Sequence, residues 1–144
     1  MKRTDMKLYT WATPNGIKPL IMLEELQTEF ELEPVDLGRG DQHTDAYAQI
    51  NPNEKIPALV DGDVRIFESG AILLYLAEAS GRFLPSAASE RARALSWLMF
   101  QMGAVGPMFG QAFHFKNSAP DNTYGNTRYM AESRRLYGVL ERQL

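Results

Sequence analysis

The chain has 144 residues, of which 44% are hydrophobic, and this is enough to bury a core in one domain or one and a half. Its net charge of −3 provides no basic surface of the kind that nucleic acids and anionic membranes require, so neither is expected as a partner. The sequence contains no cysteine, which excludes disulfides, thiolate metal sites and a cysteine nucleophile. Any thiol chemistry therefore needs a thiol supplied by a bound molecule.

Targeting and metal-binding signals are weak throughout the sequence. The longest apolar run, residues 71–77, is too short to cross a bilayer, and the charged start from Met1 to Asp5 lacks the apolar core of a signal peptide. His43 and His114 lie too far apart to form a helical ligand pair, and neither belongs to a metal-spacing motif. We expect a soluble cytoplasmic protein without a metal site.

The first part of the chain alternates strand and helix signals. Residues 7–11 form a short β-prone run that ends in the turn-forming residues 12–16. Apolar residues then recur at helical spacing, and because Pro19 is acceptable only in a first turn, this helix must begin close to Asn15. Residues 30–37 favour a second strand.

A hairpin is expected after a loop and a short helix or turn. Residues 57–60 and 64–67 are β-prone and flank Asp61-Gly62-Asp63, where Gly62 would supply the positive φ of a tight connection. Residues 69–79 then predict a helix that Gly81 would cap. The loop and the short helix or turn are placed at 38–41 and 47–50.

The order strand-helix-strand-helix-strand-strand-helix predicts an α/β fold, a thioredoxin-like βαβ unit followed by a ββα unit, as a domain over residues 6–81. After a linker at 82–86 the pattern is helical, which predicts an all-α domain over residues 87–144. One long helix would kink at Gly106-Pro107, and a second would start near Tyr124.

Glu68 and Ser69 stand between a predicted strand and a predicted helix. A serine at this N-cap, beside outward-facing backbone N–H groups, can bind a carboxylate, although serine is also an ordinary helix cap. The neighbouring Glu68 carboxylate can bind an ammonium group. The pair therefore suits the zwitterionic head of an α-amino acid.

Pro57 begins a predicted strand, where it leaves the backbone N–H and C=O of Ile56 unpaired within the sheet. An edge-strand proline is the ordinary interpretation, and a cis bond before Pro57 is open to this residue pair. The functional interpretation is a peptide-like ligand that pairs with Ile56 in β fashion.

Thr13 and Asn15 lie between the first strand and the first helix. The Thr13 hydroxyl and the Asn15 amide would point at whatever lies over the helix N-terminus. Asparagine is also a good N-cap, so capping is the alternative to ligand binding at this turn.

Several motifs together resemble the glutathione transferase superfamily, and the resemblance covers nearly the whole chain. They are Thr13-Pro14-Asn15-Gly16, Asp36-Leu37-Gly38, Asn51-Pro52, Lys55-Ile56-Pro57-Ala58-Leu59 and Phe67-Glu68-Ser69-Gly70-Ala71-Ile72. The first of these, with Gly106-Pro107-Met108, resembles the nu class, whose members are bacterial disulfide-bond reductases that use glutathione. The resemblance implies a homodimeric transferase or disulfide reductase in which glutathione acts on a small disulfide or electrophile.

The resemblance also implies which residues bind glutathione. The expected set is Asn15, Gln42, Lys55, Ile56, Pro57, Glu68, Ser69 and Arg135, with Thr13 and Asn15 as the catalytic pair beside the sulfur. Glu68 and Ser69 would hold the γ-glutamyl head, and Ile56, before a cis Pro57, would pair with the cysteinyl backbone.

Two further contacts follow from the same resemblance. Gln42 matches a position at the glycyl end, and the neighbouring His43 would take that role if the loop were shifted by one residue. Arg135 matches an arginine that lines the site from the helical domain.

Family members continue through several more helices, whereas this chain ends in the second helix after the linker. The helical domain is therefore expected to be truncated to about two long helices, whose apolar faces a partner or a dimer would cover. Because the missing helices normally complete the helical core, a catalytically silent glutathione-binding or protein-interaction module is the alternative to an enzyme.

Overall fold

The computed structural model describes residues 5–144, so the first four residues of the charged start considered above lie outside the described part. The chain divides into two compact units. The first ends at Ser86, and the second runs from Ala87 to Leu144.

The first unit is built around one mixed sheet. Its elements are β1 (Met6–Thr10), α1 (Pro14–Leu26), β2 (Glu31–Pro34), a 3-10 turn (Asp41–His43), α2 (Asp45–Ala48), β3 (Ala58–Asp61), β4 (Val64–Phe67) and α3 (Ser69–Ser80). The strand order is β2-β1-β3-β4, with β1 and β2 parallel and the other neighbours antiparallel. This confirms the predicted thioredoxin-like fold, a βαβ unit followed by a ββα unit.

Buried and half-exposed residues alternate along β1, and the buried ones show where the core of the first unit lies. Met6, Leu8 and Thr10 are buried while the residues between them are half-exposed, as expected for a strand with one face against helices. The main buried cluster is Met6, Leu8, Leu23, Leu59, Ile72 and Leu76, drawn from β1, β3 and the two long helices α1 and α3. The sheet and these helices thereby hold the turn after β1 in a fixed place.

Helix α1 begins at Pro14, close to Asn15 as predicted, but its cap and the place of Pro19 differ from the prediction. Thr13 is the N-cap, since its Oγ accepts a hydrogen bond from the Gly16 N–H at 3.1 Å, and Asn15 already lies inside the helix. Pro19 is consequently internal and not part of the first turn. Because proline has no N–H, the Asn15 carbonyl loses the helical partner that residue 19 would otherwise provide.

The hairpin and the helix after it form close to their predicted positions. Asp61 pairs with Val64 across the connection, and Gly62 has the expected positive φ of 60°. The α3 helix ends at Gly81, which has a φ of 68°. Its first residue is Ser69, as predicted, but the N-cap is shifted by one residue, because Glu68 occupies that position and Ser69 is already helical.

The second unit is helical, as predicted. It contains α4 (Ala88–Phe100), a π-helical stretch (Gln101–Val105), α5 (Gly106–Ser118) and α6 (Thr123–Glu141). The irregularity expected at Gly106-Pro107 begins one turn earlier as the π-helical stretch, which ends where Pro107 removes a further backbone donor. Aromatic pairs join α5 to α6: Phe109 stacks on Tyr137 and Phe115 on Tyr129 at centroid distances of 4.8 and 5.2 Å.

Candidate functional site

A cavity of about 250 Å³ in the first unit brings together five of the predicted site residues, four from the glutathione-binding set and the catalytic Thr13. It is lined by Thr13, Asn15, Leu37, Gln42, Glu54, Lys55 and Ile56. The lining comes from the start of α1, the loop after β2 and the segment before β3. Leu37 and Glu54 were not predicted as site residues, because neither has a chemical signature that marks it in the sequence.

The turn between β1 and α1 presents two donors at the rim of this cavity. The Thr13 Oγ accepts from Gly16 N–H, and since a hydroxyl has one hydrogen and two lone pairs, its hydrogen is still available to a ligand. Asn15, in the first turn of α1, adds an amide. Capping and ligand binding are therefore compatible at Thr13, and the two interpretations drawn from the sequence do not exclude each other.

Two buried side chains fix the Lys55 segment by hydrogen bonds to its backbone. The Lys55 carbonyl accepts hydrogen bonds from the Tyr47 hydroxyl at 2.7 Å and from the Asn51 Nδ2 at 2.6 Å. Asn51 is 1% exposed, and its Oδ1 accepts from the Asn53 N–H at 2.9 Å. Burial raises the pKa of Tyr47 to about 12, so its hydroxyl, which is protonated at neutral pH, stays a donor further into the alkaline range.

The bond between Ile56 and Pro57 is cis, and Pro57 is buried immediately before β3. Ile56 lines the cavity just outside the strand. Tyr47 and Asn51 fix this segment through their bonds to the Lys55 carbonyl. The sequence did not predict these bonds, because they depend on how the loop folds back, and only the Asn51-Pro52 pair was noted there.

Gln42 and His43 occupy different positions. Gln42 lines the cavity, and its Oε1 is buried with no hydrogen-bond partner among residues 5–144. His43 is exposed, and its Nδ1–H donates to Glu54 Oε2 at 2.6 Å. A buried polar atom without a partner costs free energy, which makes Gln42 rather than His43 the residue with unused hydrogen-bonding capacity toward a ligand.

Glu68 and Ser69 lie at the N-terminus of α3 and do not line this cavity. Ser69 is 3% exposed. Glu68 has a φ of 71° and a ψ of 118°, a backbone conformation that is costly for any residue with a Cβ. Strain of this kind is retained where the surrounding structure over-determines the backbone, and here Glu68 takes the N-cap position of α3 with an exposed side chain.

Arg135 belongs to the second unit. It lies on α6 and lines a groove of about 740 Å³ together with Met108, Tyr124, Thr127, Arg128, Tyr129, Ala131 and Glu132. Its guanidinium donates twice to the Glu132 carboxylate, at 2.8 and 2.7 Å, and lowers the pKa of that carboxyl. An anionic ligand at Arg135 would therefore compete with Glu132.

No group of three or more His, Cys, Asp or Glu in the described part of the chain is arranged to hold a metal ion. None of the helices within residues 5–144 combines the length and the apolar character needed to cross a membrane.

Residues 4–78, more than half of the chain, match the family model described as the glutathione S-transferase N-terminal domain. The chain therefore belongs to the glutathione transferase family. Among curated proteins, the chain is 47% identical to the disulfide-bond oxidoreductase YfcG of Escherichia coli, over 95% of this chain and 67% of YfcG. It is 42% identical to the disulfide-bond oxidoreductase YghU of the same organism, over 96% of this chain and 52% of YghU.

Solved structures give the same result. A glutathione transferase family member from Pseudomonas fluorescens, determined with two glutathione molecules bound, superposes with a TM-score of 0.93 at 41% identity, over 97% of this chain and 66% of that one. A Pseudomonas putida glutathione transferase with glutathione disulfide bound also gives 0.93, at 43% identity, over 96% of this chain and 64% of that one. The present chain thus spans between about half and two thirds of the length of these relatives.

Proposed function

We propose that the chain binds glutathione and uses its thiolate to reduce small disulfides, with transfer of glutathione to an electrophile as the related reaction of the same thiolate. The observation that carries the proposal is the cavity in which Thr13 and Asn15 meet Gln42 and the Lys55–Ile56 segment. It combines thiolate donors with groups suited to a peptide, and the protein has no sulfur nucleophile of its own, because it contains no cysteine.

Relatives support this proposal. YfcG and YghU are named disulfide-bond oxidoreductases, and the Pseudomonas structures contain glutathione or glutathione disulfide. Two glutathione molecules, as in the Pseudomonas fluorescens structure, are what complete reduction of a disulfide requires.

We assign glutathione binding to residues 6–81, with residues 87–144 as a partial helical domain. Within the binding domain, Glu68 would hold the γ-glutamyl ammonium, Ser69 and the α3 N-terminus its carboxylate, and Ile56 the cysteinyl backbone. Gln42 and Lys55 would face the glycyl end. Arg135 stays a prediction from the resemblance, tested by a loss of glutathione affinity in Arg135→Ala.

Thiolate stabilisation is the chemical task of Thr13 and Asn15. A free thiol with a pKa of about 8.5 is only a few per cent ionised at neutral pH. A hydrogen bond to a charged group contributes about 1.5–3 kcal/mol, and a helix N-terminus about 0.3–1 kcal/mol. Since a pKa unit corresponds to about 1.4 kcal/mol, one good donor lowers the thiol pKa by about one to two units. Much of the bound glutathione would then be ionised.

The proposed reaction has two exchanges. The glutathione thiolate attacks one sulfur of the substrate disulfide, forms a mixed disulfide and releases the other sulfur as a thiolate, which takes up a proton. A second glutathione thiolate then attacks the glutathione sulfur of the mixed disulfide, which yields glutathione disulfide and releases the remaining substrate thiolate. The two electrons that reduce the substrate come from the two glutathione molecules.

A cytoplasmic location and a homodimer accompany this proposal. The cytosol is where glutathione keeps thiols reduced. Large apolar side chains of the second unit are exposed, among them Phe113 at 71% and Tyr137 at 62%, and a second copy of the chain would cover such surfaces.

The deciding experiment compares disulfide turnover by the wild type and by a Thr13→Ala, Asn15→Ala double variant, with glutathione affinity measured by calorimetry on both. We expect the double variant to bind glutathione but to lose most of its turnover. A Thr28→Ala, Asn117→Ala variant, which changes the same residue types outside the cavity, serves as the matched control. Full activity in the double variant contradicts the thiolate role, and glutathione binding without turnover by the wild type favours the silent module instead.

A further inference from the structure

One side-chain contact in α1 bears directly on Asn15. The Lys18 Nζ donates a hydrogen bond to the Asn15 Oδ1 at 2.9 Å, across the i,i+3 spacing that brings side chains together on a helix. A lysine ammonium has three donors and no acceptor, so only the amide oxygen of Asn15 can face it. The orientation of the Asn15 amide is therefore set by chemistry, and its Nδ2 is directed away from Lys18.

The surroundings of Lys18 strengthen this constraint. Lys18 is half-buried, and burial lowers its pKa, while the charge of the nearby Glu68 carboxylate acts in the opposite direction. An ammonium that has lost part of its water needs oxygen partners, and the Asn15 Oδ1 is one of them. Asn15 also lines the cavity, and the contact with Lys18 leaves its two Nδ2 donors unused.

We propose that Lys18 is a positioning residue for the reaction, because it fixes the Asn15 amide with its N–H group toward the glutathione sulfur. The inference rests on the proposed function. Without Lys18, the amide would turn over and offer Oδ1 to the sulfur as readily as Nδ2. An oxygen lone pair repels a thiolate, whereas the N–H stabilises it. Lys18 therefore determines whether Asn15 stabilises or destabilises the bound thiolate.

The test uses Lys18→Met, Lys18→Arg, Asn15→Ala and the Lys18→Met, Asn15→Ala pair. In the protein without ligand, nuclear magnetic resonance of the Asn15 side-chain amide reports whether it is held in one orientation. With glutathione bound, ultraviolet absorbance of the thiolate as a function of pH gives the thiol pKa. Lys116→Met, a lysine of α5, is the control.

We expect Lys18→Met to release the Asn15 amide and to raise the pKa of the bound thiol by about one unit, a ~10-fold loss of thiolate below that pKa. Lys18→Arg keeps a donor and a charge and should restore most of the wild-type value. In the Asn15→Ala background, Lys18→Met should have no further effect, because the lysine then has no amide to position.

Two results overturn the inference while the proposed function stands: an Asn15 amide that is unchanged in Lys18→Met, or an equal pKa change from Lys18→Met with and without Asn15. The second would mean that Lys18 acts on the sulfur independently. If the wild type binds no glutathione, the proposed function fails, and the role of Lys18 fails with it.

Discussion

The hydroxyl of Thr10, the last residue of β1, donates a hydrogen bond to the Gly16 carbonyl in α1 at 3.0 Å. Thr10 is 7% exposed, so this bond joins strand to helix in a buried position. Gly16 has to approach closely for the bond to form: a Cβ at this position would collide with the Trp11 carbonyl and the Thr10 Oγ. The turn that carries Thr13 and Asn15 therefore depends on a residue without a side chain.

Gly16→Ala should displace this turn. We expect a loss of about 1–3 kcal/mol in the free energy of unfolding, as for overpacked core positions, together with weakened glutathione binding. Urea denaturation and calorimetric titration measure the two effects. The matched control is Gly110→Ala in α5, where an added Cβ meets nothing within 4 Å and should stabilise the helix by about 0.5–1 kcal/mol. A Gly16→Ala protein as stable as the wild type would contradict the close approach.

Ser69→Ala should weaken the binding of reduced and oxidised glutathione without unfolding the protein. A hydrogen bond to a charged carboxylate contributes about 1.5–3 kcal/mol, which corresponds to a roughly 10- to 100-fold higher Kd. Ser80→Ala is the control at the other end of α3, because the Ser80 hydroxyl donates within its own helix to the Leu76 carbonyl at 2.7 Å. Equal affinities for Ser69→Ala and Ser80→Ala would remove Ser69 from the site.

Glu68→Gly should raise stability and lower affinity at the same time. Glycine has no Cβ and so tolerates a positive φ better than glutamate does, but it lacks the carboxylate proposed to hold the ammonium group. Gln27→Gly is the control, since Gln27 has a φ of 54° at the end of α1 and no proposed role in binding. The midpoint temperature of thermal unfolding should rise in both variants, and only Glu68→Gly should bind glutathione less well. Unchanged affinity in Glu68→Gly would count against its proposed role.

Because of Tyr47, the free energy of unfolding should fall in strongly alkaline solution. Its pKa is raised from 10.0 to about 12, so the unfolded chain releases this proton at lower pH than the folded one. The stabilisation by neutral Tyr47 is complete below pH 10 and is lost as the pH rises toward 12, by about 1.4 kcal/mol for each unit of the shift. Tyr47→Phe should lose this part of the pH dependence in urea titrations. Tyr124→Phe, at a side chain that is 75% exposed, should keep the wild-type profile.

The fold could be predicted because each element of the first unit carries its own local signal. Alternation along β1, the Gly62 connection and the Gly81 cap are all local patterns, and they are found in the structure. The internal position of Pro19 and the shift at Ser69 were missed because neighbouring residues compete for the same cap, and Thr13 and Glu68 occupy the caps.

Parts of the candidate site could not be predicted, because they depend on bonds between distant segments. The two donors to the Lys55 carbonyl come from Tyr47 and Asn51, and no sequence spacing specifies that a backbone carbonyl will be their acceptor. The choice between Gln42 and His43 likewise depends on the 3-10 turn, which directs one side chain inward and the other toward Glu54.

The uneven distribution of buried residues between the two units has a consequence for local unfolding. The first unit contains the cluster of β1, β3, α1 and α3, whereas α4, all of whose residues are described, has none that is buried, and the only one in α5 is Ala112. Amide hydrogens exchange with solvent according to the free energy of local opening, which follows burial. Those of β1 and β3 should exchange slowest and those of α4 fastest, so a warmed chain would lose the helices of the second unit while the first unit still holds the candidate cavity together.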